Sequence, residues 1–170
     1  MTGFDLADAS APWVVLVPHG SAEVRRQLSR LVAGGGLLHR LPADGLTTAQ
    51  DVFRTFAATL RFPGCFGRNR DALVDCLGDL CGEVTGGGAG MAGVVRGADR
   101  LPAADHFPLF VSVLCQGADR AAQAGVAEHF VLEFREFDRE SIASRIEQPD
   151  LSVTTGDGFV AAALDPDVWN

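Results

Sequence analysis

The sequence predicts an α/β fold with a small, mostly parallel β-sheet packed by helices. Three observations carry that expectation. Short apolar runs that fit buried strands alternate along the chain with segments whose apolar residues recur at helical spacing. Serine, threonine or asparagine stands ahead of several periodic segments, and glycine or proline often follows them. The chain has 170 residues, 47% hydrophobic and 21% charged, which is globular composition with enough length to bury a sizeable core.

The elements follow in order. Residues 12–18 (PWVVLVP) form a continuous apolar run bounded by prolines and read as a buried strand. Ser21 then caps a helix in which Val24, Leu28, Leu31 and Val32 share one face, and Gly34, Gly35 and Gly36 stop it. Residues 37–42 (LLHRLP) return as a strand. Thr47 and Gln50 make a capping box for a helix that presents Val52, Phe53, Phe56, Ala57 and Leu60. Pro63 and Gly64 end it, and Asn69 caps a further helix with Leu73, Leu77 and Leu80 inward. The glycine-rich run 82–90 reads as a surface loop, and 91–95 (MAGVV) as a short strand. A helix is expected from about Phe107 to Ala124 despite Pro108, and 128–134 (EHFVLEF) is the clearest late strand. Residues 135–170 combine a charged helical turn with a Gly/Asp-rich tail.

Charge and composition narrow the function. The formal net charge is −8, and residues 133–170 carry nine acids against three arginines. Such a field disfavours nucleic acid and anionic membranes as direct partners and attracts a basic macromolecule. All 14 basic residues are arginine, which together with the abundant alanine and glycine reflects a GC-rich coding bias. The longest apolar runs fall short of the roughly 20 residues that cross a bilayer, and MTGFDLADAS lacks the pattern of a secretory leader. Cys65, Cys76, Cys81 and Cys115 form no CxxC pair or regular framework, so reduced thiols and a cytoplasmic setting are expected.

Catalytic and metal signals are weak. The VVLVPHGSAE segment places His19, Gly20 and Ser21 at a strand-to-helix turn able to offer amides to a phosphate, but the glycine spacing of nucleotide loops is missing. His19, His39, His106 and His129 are scattered, so surface or half-buried histidines are expected and no metal or cofactor. Cys115 lies in the apolar run VSVLCQG, where a packed thiol is the ordinary outcome. Nothing in these residues argues for an enzyme.

The most informative stretch is FPGCFGRNRDALVDCLGDL, residues 62–80. Gly67 offers the turn a position tolerant of positive φ. Asp71, Asp75 and Asp79 then recur every four residues, and Glu83 extends the row if the helix continues past Gly82. Like charges at that spacing cost the helix roughly 0.2–0.5 kcal/mol per pair. Asp71 in the first turn is favoured by the helix dipole, but Asp75 and Asp79 are not. Spacing alone leaves two readings open: a solvated acidic face softened by Arg68 and Arg70, or a contact surface.

The residues Phe62-Pro63, Phe66-Gly67, Asn69, Asp71-Ala72-Leu73 and Asp75-Cys76-Leu77 resemble the signature of the barstar family, intracellular inhibitors of small secreted ribonucleases. The similarity extends back over residues 37–60, and residues 85–134 match in element order. The resemblance implies a barstar-like layered fold in which this turn and helix plug a nuclease active site. Asp75 is then the principal phosphate mimic and Asp71 its neighbour, Cys65, Phe66 and Gly67 form the covering turn, and Asn69 holds turn to helix. Arg70, Val74 and Asp79 complete the implied partner-binding set. Cys65 stands where family members usually carry an aromatic, and Arg70 and Val74 stand where tryptophan is common. These departures bear on which enzyme is bound.

The resulting expectation is a non-catalytic inhibitor of immunity or antitoxin type that binds a basic ribonuclease or related toxin domain one-to-one. The alternative is a barstar-fold interaction module without a nuclease target. Residues 36–134 are expected to form the barstar-like domain, with a strand–helix extension at 1–35 packed on it and an acidic extension at 135–170.

Overall fold

Val14, Val15, Leu16 and Val17 are all buried, so side chains on both faces of one strand are covered. A strand achieves this only inside a sheet with a layer on each side. The computed structural model of the chain, which describes residues 3–62, 67, 69–79 and 89–169, supplies both layers. Its strands are β1 (Val14–Pro18), β2 (Leu37–Pro42), β3 (Met91–Arg96), β4 (Glu128–Phe134), β5 (Leu151–Gly156) and β6 (Phe159–Leu164). They form one six-stranded sheet in the order β2-β3-β4-β1-β6-β5. The pairs β2/β3, β3/β4 and β4/β1 are parallel, whereas β6 lies antiparallel to β1 and β5 to β6. The mostly parallel α/β fold expected from the sequence is therefore present.

The helices are α1 (Ala22–Ala33), α2 (Ala49–Leu60), α3 (Arg70–Asp79), α4 (Phe107–Gln123), α5 (Arg139–Ile146) and α6 (Pro166–Trp169), with 3-10 turns at Ala43–Leu46 and Ala98–Ala103. Strand periodicity sorts the core into two clusters. Val14, Leu16, Phe130, Leu132 and Phe134 face the larger one, with Phe56 of α2, Leu73 and Leu77 of α3, and Phe107, Phe110 and Leu114 of α4. Val15, Val17 and Val131 face the smaller one, with Val24 and Leu28 of α1 and the N-terminal Phe4 and Leu6. Gln27 of α1 pins that N-terminal segment: its Oε1 accepts from the Leu6 amide at 2.8 Å, and its Nε2 donates to the Phe4 carbonyl at 3.1 Å.

Several local expectations shift. Thr48, not Thr47, caps α2 through its side chain, accepting from the Asp51 amide at 3.1 Å. That helix ends at Arg61, whose φ of 57° and ψ of 49° put it in the left-handed region, with its amide and that of Phe62 directed to the Ala57 carbonyl. Pro108 lies in the first turn of α4, where its missing N–H costs nothing. Residues 135–170, read as helical turn plus tail, contain α5 and the β5–β6 hairpin that carries the sheet beyond β1. Asp157 and Gly158 turn that hairpin, and Gly158 at φ 74° supplies the left-handed position that glycine adopts without strain. The expectations for Pro63, Gly64, Leu80, Cys81, Glu83 and most of the glycine-rich loop lie outside the described residues.

His129 departs from the expectation of surface or half-buried histidines. His129 at the start of β4 is fully buried, its ring tilted 41° to that of Trp13 with centroids 5.4 Å apart, and its Nε2 3.2 Å from the Ser10 carbonyl. Burial holds its imidazole below its ordinary value, because the charged form loses its water. The adjacent Glu128 is also fully buried, and neither carboxyl oxygen finds a hydrogen-bond partner among the described residues. Burial alone pushes that carboxyl well above the usual range.

Candidate functional site

The α3 segment is set by its cap and its leucines. Asn69 Oδ1 accepts from the Ala72 amide at 2.9 Å, satisfying an amide that the first turn leaves without a helical partner. Asn69 Nδ2 donates back to the Gly67 carbonyl at 3.3 Å, so one side chain joins turn and helix. The lack of a side chain at Gly67 leaves room for that amide, since a Cβ there would come within 3.1 Å of Asn69 Nδ2. Leu73 and Leu77 are buried, and Val74 is half-buried against the main core. Cys65, Phe66 and Arg68 lie outside the described residues.

This packing turns Asp71, Asp75 and Asp79 outward. Their side chains are 92%, 59% and 72% exposed, which places all three acids on the solvent face of α3. Arg70 Nε stands 3.9 Å from Asp71 Oδ1 and contributes a weak local pair. The cation that meets the other two acids comes from α4. Arg120 Nη1 hydrogen-bonds Asp75 Oδ1, and its Nη2 lies 3.8 Å from Asp79 Oδ1.

Two glycines let Arg120 reach. At Gly117 of α4 a Cβ would lie 2.6 Å from the Leu77 Cβ, so the helices approach closely there. At Gly78 of α3 a Cβ would fall 2.5 Å from Arg120 Cδ and 2.7 Å from its Cγ, so the aliphatic stem of Arg120 lies across the bare backbone. Sequence reasoning missed Arg120 because it is 45 residues from Asp75. The available signal was Gly78 itself: glycine inside a helix is unfavourable unless something must pass close by.

Beside α3 a small apolar depression opens between α2, α3 and α4, lined by Val52, Phe53, Leu73, Leu109 and Phe110 with Arg70 at its edge. Leu109 is among the exposed large apolar residues. His106 also borders it, its Nε2 2.9 Å from the Leu46 carbonyl.

The carboxyl ends of the parallel strands are the other place where an α/β sheet positions ligands. A wider cleft there includes Arg96, Arg100, Arg135 and Asp99. Two of its charged groups, Asp99 and Arg96, have local partners. Asp99 accepts from the Arg135 and Glu136 amides at 3.1 and 2.9 Å. Burial works to raise the Asp99 carboxyl, but these amides outweigh it and hold the group below its ordinary value. Glu133 stands 3.6 Å from Arg96 and 3.7 Å from His19. Ser21, in the adjacent turn, spends its hydroxyl capping α1.

Cys115 is fully buried with its thiol 3.6 Å from the Ala162 carbonyl, and burial pushes it far above the range of a nucleophile. Among the described residues no cluster of three His, Cys, Asp or Glu side chains is arranged to hold a metal, and no helix is long and apolar enough to cross a membrane.

Residues 37–133 match the sequence profile of the family described as Barstar (barnase inhibitor). The matched segment runs from β2 almost to the end of β4 and contains α3, Arg120 and both glycines at their contact. No curated protein matches the chain.

Proposed function

The chain belongs to the barstar family, a family of ribonuclease inhibitors, and from that premise we propose that it blocks a basic ribonuclease or related toxin domain with the α3 surface. The observation that carries the proposal is the exposed carboxylate row. Within the matched segment, Asp71, Asp75 and Asp79 project from a helix whose opposite side is locked into the core. A nuclease that binds RNA must present cations where phosphates sit, and carboxylates spaced along a rigid helix occupy such a pocket without being cleaved. Asn69 ties Gly67 to the start of α3, and the depression beside Arg70 accepts apolar rim contacts.

In this reading the protein is not an enzyme and acts in the cytoplasm as an immunity or antitoxin-type partner, one molecule to one target. Its net charge of −8 speeds encounter with a basic protein, and the advantage falls as salt screens it. Truncating one member of a desolvated interfacial charge pair costs about 2–5 kcal/mol, so Asp75→Ala should weaken inhibition by roughly 30-fold or more. The test is calorimetric titration of a small basic ribonuclease, or of a basic toxin encoded beside this gene, with wild type and Asp75→Ala. Unchanged affinity in the variant removes α3 from the interface.

One observation favours the second reading, an interaction module without a nuclease target. Among the described residues, Arg120 and Arg70 leave the row of three acids with a net charge of only −1, which also suits a partner of mixed charge. A bound partner with no effect on RNA cleavage by any basic nuclease distinguishes it.

A further inference from the structure

We propose that Arg120 is a specificity-determining residue of the α3 surface: an internal cation that closes Asp75 and Asp79 to weak cationic partners and that a cognate partner displaces. The proposal rests on α3 being the partner face and concerns which partners that face admits.

The geometry is that of a built seat. One guanidinium spans two carboxylates a helical turn apart, with Nη1 on Asp75 and Nη2 3.8 Å from Asp79. The stem of Arg120 crosses α3 at Gly78, where even a methyl group would strike it. The close α3–α4 approach at Gly117 and Leu77, one turn of α4 before Arg120, sets the reach. Asp71 is the contrast on the same helix. It is 92% exposed, and among the described residues its one cation is Arg70, with Nε at 3.9 Å. Among the described residues the row thus has one open acid and two occupied ones.

Occupation changes what the surface selects. A single incoming lysine or arginine at Asp75 gains little more than Arg120 already supplies, so exchange is close to neutral. A partner that converges several donors on Asp75 gains additional charge-assisted hydrogen bonds and displaces Arg120. The difference between those two outcomes is specificity, obtained by weakening the wrong complexes.

The test uses the intact protein and a hexa-arginine peptide, with carboxyl carbon shifts of Asp71, Asp75 and Asp79 followed by NMR. In wild type, Asp71 should respond at lower peptide concentration than Asp75 and Asp79. In Arg120→Gln, Asp75 and Asp79 should respond about two- to fivefold earlier, the factor that an exposed ion pair supports. Gly78→Ala keeps the net charge while removing the seat, and should open the same two acids. Identical responses of Asp75 and Asp79 in wild type and in both variants overturn the proposal. No nuclease enters the experiment, so its result stands apart from whether the protein inhibits one.

Discussion

Replacing Glu128 by glutamine should stabilise the protein at neutral pH and leave it nearly unchanged in acid. The carboxyl is fully buried without a hydrogen-bond partner among the described residues, and its folded pKa lies well above the ordinary value of 4.5. The native state therefore keeps a proton that the unfolded chain releases. The contribution of Glu128 to stability is full below that ordinary value and is lost as pH rises toward the folded value. Within that window each pH unit costs about 1.4 kcal/mol. Glutamine has nearly the same shape and does not titrate, so the advantage of Glu128→Gln should grow by that slope and level off once pH passes the folded value. His129 acts in the opposite sense: its lowered folded value makes its contribution full above pH 6.5 and lost in acid. Both proteins carry His129, so the difference between them isolates Glu128. Urea denaturation of both proteins at about pH 5, 6 and 7 reads the slope directly. An advantage that does not change with pH would refute the burial of an unpartnered carboxyl at this position.

Two further substitutions test the supports of the site. Gly117→Ala gains about 1 kcal/mol of helix propensity but drives a methyl into Leu77, an overpacking cost of about 1–3 kcal/mol. A net loss of up to about 2 kcal/mol is expected in urea denaturation, with amide shifts concentrated on α3. Gln27→Ala strips the buried Leu6 amide of its acceptor and should cost about 1–3 kcal/mol. Faster hydrogen exchange at Leu6 and earlier proteolysis of the N-terminal segment report it; unchanged exchange contradicts the pinning role.

Much of the fold was legible because the signals are local. Ser21 and Asn69 cap the helices they precede, the strand expected at 91–95 runs one residue further to Arg96, and the strand at 128–134 stands where its apolar run placed it. What the sequence hid was mostly long-range. The run at Val14–Val17 reads as a strand, but nothing in it says that the strand lies between β4 and β6 and not at an edge. Residues 159–164 (FVAAAL) carry three alanines, a helix former by propensity, yet Ala161 and Ala162 are buried in a strand beside β1. Tertiary context overrode preference there. The Asp157-Gly158 turn was a local signal that the expected Gly/Asp-rich tail left unused.

The same division holds at the site. Asp71, Asp75 and Asp79 were legible as one helix face from spacing alone. Their counter-ion was not, because Arg120 reaches them only through the packing of two helices at Gly78 and Gly117. The role proposed for the face comes from the family motif and from no feature of spacing.

The most direct measurement is competition at a ribonuclease active site. Initial rates of fluorogenic RNA cleavage by the basic target should show inhibition that rising RNA concentration relieves, with wild type far more potent than an Asp71→Ala/Asp75→Ala double variant. Inhibition that RNA does not relieve, or that survives loss of both carboxylates, would contradict α3 as the element that fills the phosphate pocket.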